Sequence, residues 1–99
     1  MNATKALNTA RAAVSMPEPG DEWEVSFPYG DDLEGPCERS SYRSYHAALA
    51  ARNLAILQIA LRLLGADETA IWQAQRNTHT MRDVTAKVRA YAKSKQAQA

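Results

Sequence analysis

Ninety-nine residues, with twelve Lys or Arg against eleven Asp or Glu, suffice for one small domain, and a chain of this size leaves too much surface in water to enclose a deep active site. The single cysteine, Cys37, excludes an internal disulfide and a cysteine-built zinc finger. No apolar run of membrane-spanning length and no secretion signal is visible, so a soluble, cytoplasmic protein without membrane contact is expected. The near-neutral total hides a division: residues 1–38 hold two cations and eight carboxylates, a net −6, whereas residues 39–99 hold ten cations and three carboxylates, a net +7. Such asymmetry points to an electrostatic partner unless the two halves neutralise each other inside the fold.

Ala3, Ala6, Leu7, Ala10, Ala13 and Val14 recur at helical spacing, predicting a short amphipathic helix within residues 1–20 that the prolines of MPEPGDE terminate. Residues 21–44 read as an antiparallel hairpin. Trp23, Val25 and Phe27 alternate with Glu24 and Ser26, YGDDLEGP supplies turn residues, and CERSSYRS returns with Cys37, Arg39, Ser41 and Arg43 on one face.

Ser44 then suits an N-cap for a helix over 45–65. Arg52, Asn53, Gln58 and Arg62 interrupt its apolar run without forming a wet face, which is the pattern of a helix surrounded by other elements. Gly65 fits a left-handed cap. Asp67 is the next N-cap, and Ile71, Ala74, Thr78, Met81, Thr85, Val88 and Ala92 keep alternating gaps of three and four. That register predicts one continuous helix over 67–95, antiparallel to the central helix through LGADE, with a frayed tail at 96–99. Thr80 with Asp83 three residues on imitates a capping box, which would mark a break at NTHT. The expected architecture is a single helix-dominated α+β domain: an N-terminal helix, a small antiparallel β-hairpin, then two long antiparallel helices.

No motif names a chemistry. Cys37 and His46 are a conceivable nucleophile and base, but no orienting group accompanies them, and the paired carboxylates lack the ligand spacing of a calcium loop. Neither catalysis nor a cofactor or metal is expected. A helix-turn-helix at NTHT is disfavoured because Thr78 stands where glycine is usual and His79 where an apolar residue should pack. Two binding surfaces follow from the charge pattern. His79, Arg82, Arg89 and Lys93 line one face of a continuous helix over about 21 Å, flanked by Arg76 and Lys87, and such a row can meet phosphates. Glu22, Glu24, Asp31, Asp32 and Glu34 on the hairpin can steer a basic protein partner, with Trp72 as an apolar anchor at the edge of its helix. The leading expectation is a small regulator or inhibitor that binds a protein partner, in the manner of a phage or plasmid accessory factor. Nucleic-acid binding by the basic face is the alternative, and a structural subunit that dimerises through Trp72 is a third.

Overall fold

Asn2 opens the first helix, its Oδ1 accepting the amide proton of Lys5 at 2.8 Å and so satisfying one free donor of the first turn. The computed structural model describes residues 1–28 and 32–98, and in it helix α1 runs Ala3–Ala13. Ala6, Leu7 and Ala10 bury its apolar side, and Val14 continues the burial just beyond its end. The chain then lies along the edge of the first strand. The Ser15 amide donates to Ser26 O at 2.9 Å, and Glu18 and Glu24 exchange both backbone bonds at 2.9 and 3.0 Å.

Strand β1 (Trp23–Pro28) pairs antiparallel with β2 (Cys37–Tyr42), in register from Trp23 opposite Tyr42 to Pro28 opposite Cys37. Alternation turns Val25 into the core, where it is 1% exposed, and leaves Glu24 outside beside Arg39. The ring of Trp23 meets Tyr45 edge-on at a centroid distance of 5.1 Å, which ties the hairpin to the start of the next helix. Asp31, one of the expected acidic site residues, lies outside the described residues.

Helix α2 (Tyr45–Leu63) begins where Ser44 Oγ accepts the Ala47 amide at 3.1 Å. It packs against every other helix and both strands, and Ile56, Leu57 and Ala60 have no exposed surface. This is the central position that its all-round apolarity implies. Gly65 follows at φ +88°, a left-handed conformation that strains any other residue. A Cβ there would also run into the ammonium of Lys95, which donates to Leu64 O and so caps α2.

The class and the order of elements are those expected, but the stretch 67–95 is not one helix. It divides into α3 (Glu68–Gln75) and α4 (Met81–Gln98). Asn77 adopts φ +58°, a conformation that asparagine tolerates better than most residues. The Thr78 hydroxyl donates to Ala74 O at 2.6 Å, closing α3. Asp83 Oδ2 then accepts the amides of His79 and Thr80 at 3.0 and 3.1 Å while the Asp83 amide donates to Thr80 Oγ1 at 3.1 Å, so the capping box starts a new helix. Lys87 holds the two pieces together: its ammonium donates to Ala74 O at 2.8 Å, to Arg76 O at 2.6 Å and to Thr78 Oγ1. All three of its donors are used.

The direction of the last helix follows from two anchors on α2. Buried Asn53 donates to His79 O at 2.9 Å just before α4, and Lys95 reaches Leu64 O near its far end. Helix α4 therefore runs parallel to α2, and the antiparallel leg across LGADE is the short α3 alone. Val84 and Val88 still face the core with no exposed surface, which is why the apolar register crosses the break without a visible fault.

If the Lys87 ammonium ties α3 to α4, Lys87→Met removes three hydrogen bonds and should lower stability by about 1–3 kcal/mol. Lys93→Met, on an exposed position of the same helix, should stay within about 0.5 kcal/mol of the wild type. Urea unfolding of the two variants measures the difference.

Candidate functional site

Break and parallel course together decide which cations share a surface. Arg82, Arg89 and Lys93 lie at gaps of seven and four on α4 and are exposed, so they form one row about 16 Å long at 1.5 Å per residue. Helix α1 packs beside that row. Two adjoining shallow depressions run between the helices, one lined by Arg11, Met81, Arg82, Thr85, Ala86 and Arg89, the other by Asn2, Ala3, Thr4, Arg89, Ala92, Lys93 and Gln96. Arg11, which no register along α4 indicates, thus joins the row from the opposite wall. No carboxylate lines either depression. Helix α1 contains no acidic residue, and the one carboxylate of α4, Asp83, is engaged by the His79 and Thr80 amides.

The other members of the expected basic set stand elsewhere. His79 belongs to the connection before α4 and not to the helical row, which shortens the expected 21 Å stripe. Lys87 turns back to the end of α3. Arg76, at the C-terminal end of α3, lies over the ring of Trp72 at 5.4 Å from its centroid, a cation–π contact between neighbouring helical turns. With Thr78 buried, five residues between α3 and α4, and α4 lying lengthwise along α2, the connection does not have the short-turn geometry of a helix-turn-helix.

The acidic set is likewise divided. Glu22, Glu24, Asp32 and Glu34 are exposed on the hairpin, where Glu24 faces Arg39 at 3.9 Å and Asp32 Oδ1 accepts the Glu34 amide at 3.0 Å. Trp72 is carried by α3, which packs chiefly on α2. It is 62% exposed and stands outside the core. Ile71, its neighbour, takes the buried position and is 1% exposed. Among the described residues the ion pairs are Arg39–Glu24 and Arg62–Glu68, at 3.9 and 3.4 Å. The first joins the two halves of the charge pattern at one point on the hairpin, and neither joins the hairpin's carboxylates to Arg82, Arg89 or Lys93.

Cys37 and His46 do not come together. Cys37 begins β2 and His46 follows its far end, and the strand between Cys37 and Tyr42 spans about 17 Å. Among the described residues no three His, Cys, Asp or Glu side chains converge as metal ligands would, and no helix is long and apolar enough to cross a membrane. Comparison of the chain with protein-family models, with curated proteins and with solved structures gave no match.

The groove depends on where α4 begins, and Asp83 sets that point. Hydrogen bonds from the His79 amide first, and then from the Thr80 amide, hold its carboxyl below the usual carboxylate range. A depressed folded pKa stabilises the fold above the unfolded value and ceases to do so as pH falls through the folded one. The gap in urea midpoint between the wild type and Asp83→Ala should therefore persist from neutral pH to about 5 and narrow as pH falls below about 4. A gap unchanged down to pH 2 would show that the carboxylate charge plays no part.

Proposed function

We propose that the protein is a non-enzymatic nucleic-acid-binding module of the cytoplasm that holds a phosphate backbone in the groove between α1 and α4. One observation carries this reading: Arg11 on one wall and Arg82, Arg89 and Lys93 on the other border a groove with no carboxylate in its lining. Clustered cations of one sign focus a field that draws a polyanion, and counterion release makes such binding salt-dependent. No aromatic ring lines the groove, so contact to backbone phosphates, with little preference for sequence, is the mode that these side chains favour. The acidic hairpin, on the strands that cover α2, repels the same polyanion and restricts it to the α1–α4 side.

A second reading keeps a protein partner, with the molecule acting as a small regulator or inhibitor. Its support is Trp72, an exposed indole stiffened by Arg76, because Trp and Arg dominate binding hot spots. The exposed carboxylates of the hairpin would then guide association and set its salt dependence.

Fluorescence anisotropy of labelled duplex and single-stranded oligonucleotides between 50 and 200 mM salt tests the first reading. The triple variant Arg82→Ala, Arg89→Ala, Lys93→Ala should weaken binding of all sequences alike and flatten the slope of log K against log salt by about 2 to 3. Binding that the triple variant leaves intact, or none by the wild type at 50 mM salt, rejects the groove. The second reading expects Trp72→Ala to leave stability within about 0.5 kcal/mol while abolishing capture of the partner. Retained capture removes Trp72 from the interface.

A further inference from the structure

Arg52 is 7% exposed in the middle of α2. Among the described residues its Nε–H has no hydrogen-bond partner, and neither ion pair includes it. An arginine stem often lies on apolar surface while its head reaches water. Here the Nε donor is itself out of water and unpaired, which is the costly arrangement for a charged group.

The neighbours of Arg52 supply further donors. Tyr45 lies two turns earlier on the same face of α2 and offers a phenolic hydroxyl. Met1 and Asn2 adjoin Leu63 and Leu64, so α1 and α2 are antiparallel. Nine residues along α1 from Asn2, about 13.5 Å at the helical rise, bring Arg11 level with the middle of α2, where Arg52 stands. Burial first, and the Arg11 charge second, push the Arg52 pKa down. Arg11 and Arg52 are thus level along two packed helices, and Tyr45 shares the α2 face that carries Arg52.

We propose that Arg11, Arg52 and Tyr45 form a seat for a phosphate dianion. Two guanidiniums match the charge of a phosphate, and their planar N–H pairs match its oxygens. The dianion has two sources of the same chemistry: free inorganic phosphate, or the terminal phosphate of a nucleic-acid strand lying in the groove that Arg11 also lines. The strand-end source rests on the nucleic-acid reading above, and the inorganic source does not.

The test uses the full chain, as wild type and as Arg52→Met, with Arg11→Met as a second variant at an exposed position. Inorganic phosphate is titrated against chloride at equal ionic strength and pH 7.5, followed by the arginine side-chain Nε resonances and the thermal midpoint. The seat requires a saturable shift of the Arg52 Nε signal and a rise in midpoint that both variants lose. Arg52→Met, relieved of an unpaired buried charge, should melt in chloride at or above the wild-type midpoint. A second arm compares oligonucleotides of one sequence with a 5′-phosphate or a 5′-hydroxyl. Binding of the phosphorylated strand about tenfold tighter by the wild type, and equally by Arg52→Met, identifies the strand end as the source. Equal binding of both strands, with the inorganic response intact, identifies free phosphate. Should neither strand bind, the groove fails while the inorganic titration still decides the seat. An unmoved Arg52 signal, or a midpoint rise of the same size in Arg52→Met as in the wild type, overturns the proposal and leaves only the general effect of phosphate on burial.

Discussion

One ammonium group governs the lower half of the molecule. Lys87 reaches back from α4 to the last carbonyls of α3, and this contact makes a chain reversal out of what would otherwise be continuous helix. The end of any helix leaves carbonyls without internal partners. A helix interrupted in mid-register must find other donors for them, and here a lysine serves two, with its third donor on the Thr78 hydroxyl. Asn53 fixes the same connection from α2 through the carbonyl of His79. With both ends held, α4 has one course open to it, along α2 and beside α1, and the cationic wall of the groove is a product of that course.

The consequence for charge is a molecule with two faces. The hairpin and its flanks gather exposed carboxylates on the strands that cover α2, while α1 and α4 gather arginines and a lysine. Opposite charges in one chain often meet in surface pairs that contribute little. Here the ion pairs are local, Arg39 with Glu24 across the ladder and Arg62 with Glu68 across the LGADE connection. The exposed charge of the hairpin and of the α1–α4 groove is left to act outward, where it shapes the field around the molecule more than its stability.

Periodicity and capping chemistry made most of the architecture legible. Alternation at Trp23, Val25 and Phe27 marked β1. Ser44 and Asp67 marked the starts of α2 and α3, and Gly65 marked the end of α2. The break at residues 76–80 was not legible from spacing, because Met81, Val84 and Val88 resume facing the core at positions that a straight helix would also have chosen. Its local signs are the Thr80–Asp83 box and Asn77, whose tolerance of positive φ leaves no trace in the apolar spacing. The fate of Lys87 depends on a contact across the turn that no single-helix register describes. The groove was half legible: α4 alone indicates Arg82, Arg89 and Lys93, but the contribution of Arg11 comes from packing between helices distant in sequence. Ile71, a member of the apolar register, faces inward, and Trp72 beside it stays outside.

Ala6 and Ala10 have no exposed surface on α1, and Ala3, Ala86 and Ala92 line the depressions between α1 and α4. Interaxial distance depends on the side chains at the contact, and methyl groups let helix backbones come close. The distance between the two walls, and with it the spacing of Arg11 from Arg82 and Arg89, is therefore set by the smallest side chains available. The abundance of alanine, which from composition alone reads as a weak core, acts as a calliper: it gauges the gap between Arg11 and the row of cations on α4.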